Sequence, residues 1–146
     1  MDANKAELED ADLTKQVIGI FYSVYNELGP GFLESVYENS MTMALREAGL
    51  EAAQQVPLNV WFRDNIVGEF KVDLLVSRRL VIELKAVSQL SSIHEVQLVN
   101  YLKATRLGTG LLFNFGPKPQ FKRRVYGSVL PSSPSSALIR VQKNVQ

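Results

Sequence analysis

The chain has 146 residues, 46% hydrophobic and 21% charged, and its 16 basic and 15 acidic side chains leave a formal charge of +1. That length suits one domain with a real core, and the balanced charge is not that of a strongly basic duplex-DNA binder, although a local patch can still attract phosphate. With no cysteine and one histidine, disulfides, thiolate zinc sites, iron–sulfur clusters and a cysteine nucleophile are excluded.

No apolar run approaches about 20 residues, so no membrane span is expected. The acidic start MDANKAELED has neither the basic nor the apolar segment of a secretory signal, which points to the cytoplasm. Residues 1–12 are polar and read as a flexible N-terminus. From Leu13 the apolar positions Val17, Ile20, Phe21, Val24 and Leu28 recur at helical spacing, and Gly29-Pro30 stops that helix. A second helix carries Leu33, Val36, Tyr37, Met41, Ala44 and Leu45 on its apolar side and ends at Gly49. Glu34 falls in its first turn, where a negative charge complements the helix dipole whatever else it does.

Leu50 to Phe62 reads as a strand, with Pro57 suiting an edge or an irregular start. Arg63-Asp64-Asn65 is a turn, Ile66 to Val76 the next strand, and Ser77-Arg78-Arg79 a hairpin connection to Leu80 to Val87. A helix from about Ile93 to Ala104 follows, with Val96, Val99, Leu102 and Ile93 expected to face the sheet. Gly108 to Phe115 then makes a parallel strand–helix–strand crossover with the third strand. Phe121 to Tyr126 reads as a basic edge strand, its charges serving either phosphate binding or protection of the edge. A single domain is thus expected over residues 13–130, with the Pro131 to Ser136 linker and a tail making up 131–146.

Three charges are set within the central hairpin: Asp73, Glu83 and Lys85. In a strand residues i and i+2 share a face, so Glu83 and Lys85 point the same way. A turn at residues 77–79 brings Asp73 roughly opposite Glu83. Two carboxylates that close repel each other unless a cation joins them. Their oxygens and a backbone carbonyl are hard ligands suited to Mg2+ or Mn2+, and a neighbouring lysine can act on the attacking water. The alternative is a solvated edge strand in which Asp73 pairs with Lys71 or Lys85.

The order helix, three strands, helix, strand, carrying Glu34, Asp73, Glu83-Leu84-Lys85 and Gln97 in turn, resembles the PD-(D/E)XK nuclease superfamily. Gly31-Phe32-Leu33-Glu34-Ser35-Val36-Tyr37 resembles the signature of its GxxExxY branch, and Gln97-Leu98-Val99-Asn100-Tyr101 the QxxxY motif of RecB-like nucleases. The resemblance implies a restriction-endonuclease-like α/β fold with an αβββαβ core, a mixed central sheet flanked by helices. It implies a Mg2+- or Mn2+-dependent nuclease acting on DNA, in single strands or at ends rather than at a specific duplex sequence. Asp73, Glu83 and the Leu84 carbonyl would hold the metal, with Glu34 reaching it directly or through water. Lys85 would position the attacking water, Gln97 would orient the site or substrate, and Tyr101 and Tyr37 would contact the substrate. His94, at the helix entry, reads as a capping or surface residue. Two alternatives stay open: a nuclease-fold module that binds nucleic acid or a protein without turnover, and an accessory protein that forms a homo-oligomer through Trp61 and Phe62.

Overall fold

The computed structural model describes residues 3–126. Helices α1 (Ala3–Leu28) and α2 (Glu34–Glu47) precede strands β1 (Ala52–Phe62), β2 (Asn65–Val76) and β3 (Leu80–Lys85). Helix α3 (Ser92–Thr105) and strands β4 (Thr109–Phe115) and β5 (Pro119–Val125) follow. One sheet runs in the order β1-β2-β3-β4-β5, antiparallel except for the parallel β3–β4 pair. The αβββαβ core expected from the sequence is therefore present, with α3 as the crossover. The expected linker and tail at 131–146 lie outside the described residues.

Alternation along the strands feeds two cores. On one face Leu74, Val76, Leu80, Ile82, Leu84, Leu111, Phe113 and Phe115 pack against Val17, Phe21, Tyr37, Met41 and Leu45 of α1 and α2. Phe21 stacks on Phe113 and Tyr37 on Phe115, each with 4.2 Å between ring centroids. On the other face Leu75, Val81 and Leu112 pack against Leu98 and Leu102 of α3. Burying each such side chain stabilises the fold by roughly 1.5–3 kcal/mol, so each helix is held by its apolar stripe. Gly110 sets the approach of α3 to β4, since a Cβ there would meet Leu98 Cδ1 at 2.8 Å.

One boundary and one buried face differ from the sequence pattern. Helix α1 begins at Ala3, well before Leu13. Its first turns lack an apolar stripe and are tied instead by Arg79 of the β2–β3 turn, which pairs with Glu9 at 2.9 Å and Asp10 at 2.6 Å. In α3 the inward stripe is Leu98, Leu102 and Thr105, while Ile93 and Val96 are 75% and 58% exposed. The helix is rotated so that residues three and four apart from Leu98 meet the sheet.

Candidate active site

The site forms where the middle of the sheet comes apart. The β2–β3 ladder runs from Val76↔Leu80 to Leu74↔Ile82 and stops one step short of Asp73 and Glu83. The β1–β2 ladder skips the step at the same level, since Gln54↔Leu74 and Val56↔Val72 pair but Gln55 and Asp73 do not. Gln55 there adopts φ +51°, a left-handed conformation uncommon for a residue with a side chain. Beyond Asp73 the strand also changes partners: Leu74 belongs to the core under α1 and α2, Val72 to the core under α3.

Side chains take over the missing ladder bonds. Asp73 N donates to Glu83 Oε2 at 2.9 Å, and Leu84 N donates to Asp73 Oδ2 at 2.8 Å. Each carboxylate thus uses one oxygen to brace the opposite strand. The sequence expectation that these two acids face each other across the hairpin holds, and the brace makes their mutual position rigid.

Electrostatically the pair is only partly compensated. Glu83 is only 4% exposed. Burial first and the Asp73 charge second push its carboxyl up to about 8, against the opposing effects of the Asp73 N–H and the Lys85 charge; Glu38 adds a further upward push. Neither Asp73 nor Glu83 forms an ion pair among the described residues, so the ordinary Asp73–lysine bridge is not what holds them. Lys85, half-buried at the end of β3, lies on the same face as Glu83 and is itself unpaired among the described residues.

The acid that α2 brings to this pair is Glu38, which the sequence reasoning passed over. Gln55 Nε2 donates to Glu38 Oε1 at 2.9 Å and to Asp73 Oδ1 at 3.2 Å, bridging the two carboxylates. Gln54 Nε2 donates to Glu38 Oε2 at 2.8 Å. Glu34 lies one turn earlier on the same side of the helix, exposed and without a hydrogen bond or ion pair among the described residues. Glu34 stands in the first turn of α2, where its charge complements the dipole.

On α3, Tyr101 stacks flat on Phe70 of β2, with centroids 4.4 Å apart and planes 7° from parallel. Burial, with the nearby Glu83 and Asp73 charges, pushes its hydroxyl up to about 12, so it stays a protonated donor beside the acids. Gln97 is exposed one turn away and has no hydrogen bond among the described residues. Tyr37 is a correction: expected at the substrate, it is fully buried. Its hydroxyl donates to Gly29 O at 2.6 Å and accepts from Phe32 N at 3.1 Å, locking the Gly-Pro-Gly turn. His94 is the cap that the sequence suggested, its Nδ1 accepting from Ser91 N at 3.2 Å.

The donor set fits a hard divalent cation. Among the described residues no group of three or more His, Cys, Asp or Glu side chains is placed to hold a metal ion. Mg2+ does not need such a group, because it binds through one or two carboxylates and keeps several waters. Glu83 is a buried carboxyl that forms no ion pair among the described residues, and its Oε1 takes no hydrogen bond there; its ionised form is what a metal would stabilise.

A mixed five-stranded sheet with helices on both faces, and two braced carboxylates at a parting of strands with a lysine two residues on, define a restriction-endonuclease-like fold. The chain belongs to the PD-(D/E)XK nuclease superfamily, which it matches over residues 11–125. It is also similar to the crystal structure of a protein designated SSO0001, with a TM-score of 0.52 and 17% identity over 63% of this chain. That likeness concerns the fold, and it spans 50% of the other chain's length. No curated protein matches this one.

Proposed function

We propose that this protein is a Mg2+- or Mn2+-dependent nuclease that hydrolyses phosphodiester bonds of DNA, acting on single strands or strand ends. The observation that carries this is the Asp73–Glu83 brace, in which a buried carboxyl that forms no ion pair among the described residues faces a second acid where two strands separate. Asp73 and Glu83, with the Leu84 carbonyl, would hold the metal, and Glu38 would reach it across the Gln55 bridge in the place first given to Glu34. When bound, the metal supplies Lewis-acid polarisation of the phosphate and a more acidic water. Lys85 offsets the negative charge that develops on the phosphate as water adds and the P–O bond to the leaving oxygen breaks.

The Phe70–Tyr101 stack supports single strands as substrate, since a flat aromatic pair beside the acids offers an unpaired base a stacking surface. Gln97, one turn away on α3, would steady the substrate, in keeping with the QxxxY motif, and Glu34 and Tyr37 are in keeping with the GxxExxY branch, with Tyr37 shaping the turn rather than touching DNA. The test is cleavage of labelled single-stranded DNA, duplex DNA and RNA with Mn2+. Wild type is expected to cut single-stranded DNA, and Asp73→Asn and Lys85→Ala to lose activity by at least about a hundredfold. Metal binding without cleavage would replace this reading with that of a nucleic-acid-binding module.

A further inference from the structure

Strand β3 ends at Lys85, yet the chain beyond it is still hydrogen-bonded to β4, through a side chain. Lys85 lies opposite Asn114 in the parallel register with β4. Asn114 is fully buried, and its carboxamide makes both bonds that a neighbouring strand residue would make to Val87. Oδ1 accepts from Val87 N at 3.0 Å, and Nδ2 donates to Val87 O at 2.9 Å. Nδ2 also donates to Gln120 Oε1 of β5 at 3.3 Å, fixing the orientation of the amide.

Val87 is pressed from a second direction. A Cβ on Gly116 would sit 2.2 Å from Val87 O, so glycine alone lets the two backbones lie this close. Tyr25 OH in turn donates to Gly116 O at 2.6 Å, anchoring that backbone to α1. Tyr25, Gly116 and Asn114 therefore clamp a segment that starts two residues after Lys85. A buried asparagine that spends both ends of its amide on the backbone of one residue is costly to keep unless the placement it imposes matters.

We propose that Asn114 is a positioning residue for Lys85: by completing the ladder at Val87 with its side chain, it fixes the end of β3 and the direction in which the lysine leaves it. This rests on the nuclease reading. Lys85 is half-buried and makes no ion pair among the described residues, so backbone placement is what sets its position relative to the acids. A displacement of about 1 Å in a catalytic group can cost about a hundredfold in rate.

The test compares wild type, Asn114→Asp and Gly116→Ala. Asn114→Asp keeps an acceptor for Val87 N but faces Val87 O with an oxygen; should a buried carboxylate prevent folding, Gly116→Ala displaces Val87 from the other side. For each, kcat and KM on single-stranded DNA, Mn2+ affinity by calorimetry, and the acylation rate of the Lys85 amine by peptide mass mapping are measured. The expected result is a kcat lowered by about a hundredfold, with KM and Mn2+ affinity near wild type and a changed Lys85 acylation rate. A Lys85 acylation rate equal to wild type, or a fall in kcat that only follows a fall in Mn2+ affinity, overturns the proposal. If wild type does not cut DNA, the nuclease reading fails on that result, and the Lys85 acylation rate alone decides whether Asn114 positions the lysine.

Discussion

Asp73 and Glu83 exchange supports rather than charges: the backbone N–H of Asp73 holds Glu83 Oε2 at 2.9 Å, while Asp73 Oδ2 holds the N–H of Leu84, the residue after Glu83. The brace places two acids together with no cation between them, a repulsion built into the fold. In a protein selected only for stability such a pair would be replaced by apolar residues or joined by a lysine.

The first consequence is a pH dependence of the protein without metal. Glu83 titrates near 4.5 when unfolded and at about 8 when folded. Below about pH 4.5 the group is protonated in both states and its contribution is intact. Between those values the unfolded chain gives up a proton that the folded one retains, so stability falls as pH rises, by at most about 1.4 kcal/mol per pH unit, and the loss is complete above the folded value. Glu83→Gln should remove this slope and raise the melting temperature near neutral pH. Chemical denaturation of both proteins across the range from acid to alkaline pH checks it; a slope that survives in the variant would mean that another group carries it.

Metal binding should expel that proton. At neutral pH Glu83 is mostly protonated, and a cation bound by Asp73 and Glu83 requires both ionised. Calorimetric titration of Mn2+ in two buffers of different ionisation enthalpy should therefore show release of about one proton per metal near pH 7, falling away above pH 8. Affinity should rise with pH over the same interval. Asp73→Asn should abolish saturable binding, and removing metal with a chelator should lower the melting temperature of wild type toward that of the apoprotein.

Much of this was legible in the sequence because it depends on period and count. Alternation gave the strands, the three residues Ser77-Arg78-Arg79 gave the hairpin register, and the register gave the Asp73–Glu83 pairing. What was hidden depends on three-dimensional rotation. Glu34 and Glu38 are one turn apart on the same side of α2, and no pattern tells which of them comes level with Asp73; the only sign was that Glu38 and the adjacent pair Gln54-Gln55 could meet across α2 and β1. The apolar character of Ile93 and Val96 suggested burial, but the rotation of α3 is set by Leu98 fitting against Gly110. The early start of α1 has no apolar signature, because Arg79 holds it by charge.

Tyr37→Phe separates a structural tyrosine from a substrate-binding one. The change deletes the hydroxyl that joins the part-buried Gly29 O and Phe32 N at the edge of the core while keeping the ring stacked on Phe115. Losing the bonds to those two part-buried backbone groups should cost about 0.5–1.5 kcal/mol of stability. Cleavage by the folded variant, measured well below its melting temperature, should keep the wild-type KM for DNA; a raised KM with unchanged stability would return Tyr37 to the substrate.

Gln55→Gly should trade function for stability. Gln55 holds φ +51° at the skipped step opposite Asp73, a conformation costing a residue with a Cβ about 1–2 kcal/mol and glycine almost nothing. Its bonds to Glu38 and Asp73 are solvent-exposed and therefore contribute little net stability. Replacing it should raise the stability of the apoprotein by about 1 kcal/mol, an effect read by denaturant midpoint. The same change removes the amide that sets the distance between Glu38 and Asp73, so Mn2+ affinity and cleavage should both decline. If Gln55 were merely an irregularity of β1, the glycine variant would gain stability with metal affinity untouched; a loss of affinity alongside the gain ties the strained backbone to the function of the acids it bridges.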